Sequence, residues 1–241
     1  MTNFHDTPWA QKEFSSQFLE TADVLVMERR RFFEILKSLY SHFLEDRGEH
    51  NNVLDVGCGD GILTHELLKT DSSISATLID GSEDMLIKAR KRLSGFSNVD
   101  FIQASFQELV HSDIQLPDFS LAISSLAIHH LAMNEKRDLF DYIYSHLGDG
   151  GYFVNIDVVL SPTDALEKWY RSMWKKWMID KQAILKIEVD CESIFQSYQE
   201  KGHYSKLDTL TSQLNALTNI GFKDVDCFYK YGVFAMYGGK K

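Results

Sequence analysis

The chain has 241 residues, 12% of them aromatic and 25% charged, and carries a formal net charge of -10. That length holds one large domain, or one domain with a lid, around a substantial core. The excess of acid argues against a basic nucleic-acid-binding face, and the lack of any long uninterrupted apolar run argues against a membrane-spanning helix. Cys58, Cys191 and Cys227 show no C-x-x-C spacing and fit reduced thiols of a cytoplasmic protein. His5, Asp6, Lys12 and Glu13 precede any apolar run, so no signal peptide is expected.

Before the first strand, Phe14, Phe18 and Leu19, and then Val24 through Phe43, recur at helical intervals. This spacing predicts helices over 8–20 and 22–46, with Gly48 as a stop. Phe4, Trp9 and Phe14 either fill the core or face a ligand. Arg29, Arg30 and Arg31 cannot share one helix face and are read as a solvated surface with one ion pair.

The stretch from Asn52 to Leu63 reads NVLDVGCGDGIL. Val53–Val56 is a short apolar run suited to a buried strand, and Ile62, Leu63, Leu67 and Leu68 have helical spacing. Between them Gly57, Gly59 and Gly61 allow a tight turn and close approach of a ligand. Strand, glycine turn and helix together present a nucleotide-like ligand at the strand ends of an open parallel sheet. The dinucleotide fingerprint is G-x-G-x-x-G; here Ile62 stands where its last glycine would be. Asp55 and Asp60 would repel a pyrophosphate but attract an amino group or a sulfonium. The stretch resembles motif I of the class I S-adenosylmethionine (SAM)-dependent methyltransferases, and that resemblance implies cofactor contacts from Asp55, Gly57, Cys58, Gly59 and Gly61.

A second strand, 74–80, ends in Asp80, nineteen positions past Gly61. A carboxylate there can accept both hydroxyls of a ribose, and Ser82 can cap the next helix. The resemblance places Gly81, Ser82 and Met85 around the adenine. Ribose spacing alone would also suit NAD, so the turn carries the distinction. A third strand, 98–103, runs into Ala104-Ser105-Phe106, where many relatives have Gly-Asp; adenine recognition then rests on Ser105, backbone groups and Phe106.

A fourth strand, 119–125, leads into Leu126-Ala127-Ile128-His129-His130-Leu131. By resemblance, Ser125 and Leu126 border the methionine part of the cofactor. His129 or His130 is the candidate base; neighbours in a turn point apart, so at most one reaches a substrate, and the family's similar His-His-Leu is a structural plug. Adjacent histidines with no third ligand nearby do not make a metal site. A helix over 133–147, a break at 148–151 and a fifth strand over 152–159 follow. Asp157 and Val158, at that strand's end, are expected across the cleft from the reacting methyl.

Residues 161–203 look like an insertion. Trp169, Met173 and Trp177, with Tyr170, Trp174 and Met178 one position on, make an aromatic face on a helix over 163–181. Relatives carry a substrate lid here, so Trp9, Trp169, Tyr170, Met173, Trp174 and Trp177 are the expected lid contacts. A helix over 206–220, a strand through Lys230 and a last strand over 231–238 close the chain.

The expected fold is therefore α/β: a Rossmann-like seven-stranded sheet, mostly parallel with an antiparallel C-terminal hairpin strand, plus N-terminal helices and a helical lid. The division is 1–48 for helices closing on the cofactor, 49–160 and 204–241 for the SAM-binding core, and 161–203 for the lid. The resemblance implies a methyltransferase that uses S-adenosyl-L-methionine, yields S-adenosylhomocysteine, and acts on a small, partly apolar molecule without nucleic acid or membrane as partner. Three alternatives stay open: a carboxy-SAM-synthase-like enzyme using Arg29, Arg30 or Arg171, an NAD-linked oxidoreductase, and a non-enzymatic SAM-binding module. Oligomeric state, a homodimer included, is not legible.

Overall fold

The computed structural model describes residues 4, 7–44, 51–111, 114–190, 193 and 206–241. Gly48, Cys191 and most of the second half of the expected lid lie outside the described residues. Seven strands form one sheet in the order β3-β2-β1-β4-β5-β7-β6. They are β1 (Asn52–Val56), β2 (Ser75–Asp80), β3 (Val99–Gln103), β4 (Phe119–Ser125), β5 (Leu147–Val158), β6 (Lys223–Tyr231) and β7 (Phe234–Lys240). β1 pairs in parallel with both β2 and β4, β2 with β3, and β4 with β5. β7 runs antiparallel between β5 and β6.

Side chains alternate across a strand, and β1 divides its burial accordingly. Val53 joins an apolar cluster on one face, while Leu54 and Val56 join a second on the other. The first cluster is covered by α1 (Lys12–Leu25), α2 (Arg29–Phe43), α3 (Ile62–Leu68), α4 (Glu83–Arg92) and α7 (Asp164–Leu185). The second is covered by α5 (Phe106–His111), α6 (Met133–His146) and α8 (Leu210–Ile220). β1 sits between strands reached by crossovers on opposite faces, so a crevice opens at the carboxyl ends of β1 and β4.

Several boundaries differ from the expected ones. The N-terminal break falls at 26–28, not near 21, and Glu28 takes a left-handed φ of 57° there. No glycine or proline marks that turn; instead Asp23 accepts hydrogen bonds from Arg29 and Arg30 across it. The glycines at 148–151 do not separate helix from strand. β5 begins at Leu147, paired with Phe119, and its register then shifts so that Tyr152 pairs with Leu121. Gly150, at φ 74°, accommodates the extra residues of this bulge. The last helix starts at Leu210, because the Thr209 side chain accepts from the Ser212 amide and caps it.

The helix expected as a lid packs differently. The indole N–H groups of Trp174 and Trp177 donate to the carbonyls of Leu25 and Val24, at 2.6 and 3.1 Å. Trp174 also meets Phe234 of the sheet edge-on, and Met178 is fully buried. Thus α7 braces α1 against the sheet. Among the described residues no helix is long and apolar enough to cross a membrane.

Candidate functional site

A cavity of about 450 Å³ lies over the carboxyl ends of β1, β2 and β4. Its floor is the turn after β1. Gly57, Gly59 and Gly61 all hold positive φ values, of 69°, 55° and 73°. A Cβ on Gly57 would come within 2.6 Å of the Ala127 Cβ, whereas one on Gly59 would meet nothing within 4 Å. Both line the cavity, as do Asp55 and Cys58. Gly61 does not. It starts α3, and a Cβ there would press on Leu78, Ala89 and Leu93, so this third glycine serves helix packing.

Asp80 ties the site together. One carboxylate oxygen accepts from the Gly59 amide and the other from the Ser82 amide, each at 2.8 Å. Burial raises its pKa, while these two backbone bonds pull the other way. Gly81 and Met85 line the cavity beside it. The Phe4 ring lies where a Cβ on Gly81 would be, within 2.8 Å. Ser82 is instead the N-cap of α4, accepting from the Met85 amide, and lies outside the lining.

Asp55 is buried at 1% exposure, and burial drives its pKa from 3.8 to about 7. A hydrogen bond from the Thr64 hydroxyl, at 2.7 Å, opposes that rise, and the charge of Asp80 adds to it. Asp60, the other acid of the turn, also lines the cavity, but its carboxylate is paired with Arg92. Repulsion of a pyrophosphate therefore rests on Asp55 and Asp80. A carboxyl whose folded pKa is raised holds its proton in the folded chain after the unfolded chain has lost it. Stability therefore falls as pH climbs from about 4 to about 7. Relative to the wild type, Asp55→Asn should gain on the order of 2 kcal/mol in unfolding free energy between pH 5 and pH 8. Urea titrations at both pH values check this, and a pH-independent gap would refute it.

Ala104, Ser105 and Phe106 line the wall after β3, as does Gln107. The Ser105 hydroxyl donates to Glu108 at 2.8 Å and accepts from the Glu108 amide, so it is committed to starting α5. Across the floor come Ser125, Leu126 and Ala127. Leu126 sits at φ 55°, a costly backbone for a non-glycine residue, with its amide fixed on the Ile156 carbonyl.

The two histidines separate. His129 is buried, and Asp157 accepts from its backbone amide (2.8 Å) and meets its Nδ1 (2.5 Å). Asp157 is fully buried and does not line the cavity, nor does Val158; neither lies across the cleft as expected. The reason is that the turn Ile128–His130 needs an acceptor for its amides, and Asp157 supplies it. His130 does line the cavity. Its Nε2 accepts the indole N–H of Trp9 at 2.7 Å, and its ring lies 3.9 Å from that of His129.

Trp9 belongs to the roof. Phe4, Thr7, Trp9, Phe18, Leu19 and Arg29 close the cavity from the N-terminal segment. Phe14 touches Trp9 edge-on from outside. None of Trp169, Tyr170, Met173, Trp174 and Trp177 reaches the lining, so the aromatic helix is a brace and the N-terminal segment is the cover. Lys206, from the segment before α8, completes the wall. Sequence reasoning missed Gln107 and Lys206, and gave Arg29 as surface or, in the carboxy-SAM alternative, as a site arginine; Gln107 alone of the missed pair carried a signal, following Phe106 at a strand end.

Comparison with known proteins places this geometry. Residues 53–151 match the family model described as a methyltransferase domain. Those residues belong to the class I SAM-dependent methyltransferase family. The cofactor of the methyltransferase domain is S-adenosyl-L-methionine, and the residues present fit it: a bare glycine turn with the carboxylates of Asp55 and Asp80 lining one cavity. The NAD alternative falls with this assignment. A carboxy-S-adenosyl-L-methionine synthase of Campylobacter lari is 21% identical over 92% of this chain and 91% of its own. A malonyl-[acyl-carrier protein] O-methyltransferase of Halalkalibacterium halodurans is 26% identical over 53% of this chain and 47% of its own. Among solved structures, the DszA carbon methyltransferase superposes with a TM-score of 0.66 at 16% identity, covering 95% of this chain and 58% of that one. The N-methyltransferase NodS from Bradyrhizobium japonicum, in complex with S-adenosyl-L-homocysteine, gives 0.55 at 15% identity over 88% and 87%. At these identities the structural likeness speaks for the fold.

Proposed function

We propose that this methyltransferase acts on a small, partly apolar acceptor bound beneath the N-terminal segment. One observation carries the reading: a single cavity has the acidic glycine turn as its floor and Phe4, Trp9 and Phe18 as its roof. In the proposed assignment Asp80 takes the ribose, Phe106 and Gln107 flank the adenine, and Asp55 with the Ser125–Leu126 backbone holds the amino-acid part. The described residues before β1 act as the cover, those of the sheet and its helices as the cofactor core, and α7 as a brace.

The cofactor supplies an activated methyl group on a sulfonium. What the chain contributes is placement, which can lower a barrier by on the order of 7–11 kcal/mol when two reactants are held in line. The aromatic roof excludes water. With its Nε2 occupied by Trp9, His130 carries its proton on Nδ1, and it can accept a proton at Nε2 only once that indole swings away. Its first role in this reading is to latch the roof.

A second reading has specific support. Relatives described as carboxy-S-adenosyl-L-methionine synthases align over nearly the whole chain, and Arg29 lines the cavity, where a guanidinium could meet a carboxylate. Purified protein incubated with SAM and a metabolite extract, followed by mass spectrometry, separates the two. Methyl transfer predicts S-adenosylhomocysteine together with a methylated acceptor. A heavier, intact sulfonium nucleoside would favour the second reading, and failure to bind S-adenosylhomocysteine at all would end both.

A further inference from the structure

We propose that Lys206, with Arg29, forms a subsite for an acidic group on the acceptor, a carboxylate or a phosphate monoester; this rests on the methyl-transfer reading above. Arg29 and Lys206 are the two lysine or arginine side chains among the described residues lining the cavity. They come from the roof and from the segment before α8, on elements other than those that carry Asp55 and Asp80. The cavity thus joins an acidic floor, suited to a cationic cofactor, to basic side chains that such a cofactor's sulfonium would avoid.

The placement of Lys206 is built. Lys136 of α6 has no exposed surface, and its ammonium donates to the Lys206 carbonyl at 2.8 Å and to the Asp208 carboxylate at 2.6 Å. The Leu160 amide donates to the Asp208 carbonyl at 2.9 Å, and Leu160 bridges to Thr209. A buried ion pair stabilises no better than apolar packing of the same volume, so its use at the rim points to position. It pins the backbone of a residue that lines the cavity, and Lys136 is accordingly a positioning residue. Arg29 is fixed in turn by its Nη1 on Asp23 at 2.7 Å and by its stacking over Phe33, with further donors on the guanidinium.

The rest of the lining suits an acceptor with an apolar body. Phe18 and Leu19 line the cavity along with Arg29, so phenylacetate, phenyl phosphate and neutral phenylacetamide are suitable probes. They would be titrated into the full chain saturated with S-adenosylhomocysteine. At least one charged probe should bind fivefold or more tightly than the amide, and which one does so tells carboxylate from phosphate. Lys206→Met should abolish that preference while leaving S-adenosylhomocysteine affinity within twofold. Lys136→Met should reduce the preference in the same way, again without loss of nucleoside affinity. Equal binding of all three probes, or a preference that survives Lys206→Met, overturns the proposal. So does weakened binding of S-adenosylhomocysteine but not of 5′-methylthioadenosine in Lys206→Met, since the cations would then serve the cofactor's own carboxylate. If S-adenosylhomocysteine does not bind the wild type, the methyl-transfer reading fails first and takes this one with it.

Discussion

Replacing Asp80 with alanine should weaken S-adenosylhomocysteine more than tenfold, equivalent to at least about 1.4 kcal/mol, as read by calorimetric titration. Two losses combine. The carboxylate is the proposed acceptor for the ribose hydroxyls, and hydrogen bonds to a charged group are worth about 1.5–3 kcal/mol. It also accepts from the amides of Gly59 and Ser82, so it holds the glycine turn against the end of β2. Asp80→Asn keeps one acceptor oxygen and should lose less. Binding unchanged in Asp80→Ala would show that the nucleoside lies elsewhere in the cavity.

Asp157→Ala should destabilise the fold by about 3–5 kcal/mol, the range for breaking a buried charged network by removing one partner. Its two oxygens serve the His129 amide and Nδ1, the Val158 amide and, at 3.4 Å, the Asn155 amide group. With the side chain gone, these buried donors lose their acceptor. Because the same carboxylate fixes the turn that carries His130, the roof latch should loosen as well. Thermal and urea unfolding give the first effect. Quenching of Trp9 fluorescence by iodide, compared in Trp9→Phe to isolate that indole, gives the second. A variant within about 1 kcal/mol of wild type would show that the His129 contacts are dispensable.

The glycine turn and the carboxylates beside it were legible because their chemistry is local. Asp55, Gly57, Gly59 and Asp80 are fixed by short rules: a tight turn needs positive φ, and a strand end meets the ligand. Asp55 lies at the end of β1, Gly57 and Gly59 in the turn after it, and Asp80 at the end of the next strand. Ser82 caps α4, as its place in the sequence suggested, and Ser105 lines the cavity while its hydroxyl is engaged with Glu108 at the start of α5. Which residues face the cavity floor was illegible. Trp169 through Trp177 have the composition of a lid, but composition does not say which way a helix turns. Two indole N–H groups found the carbonyls at the end of α1, and that decided it.

By itself the sequence determined the sheet, the glycine turn and the acids of the cavity floor, because alternation, helical spacing and strand-end chemistry act over a few residues. Only the tertiary structure decided that Trp9 latches onto His130, that Asp157 is spent on His129, and that Arg29 and Lys206 line one cavity. Those pairings join residues far apart in the chain, and which buried donor meets which acceptor is settled only when the layers pack.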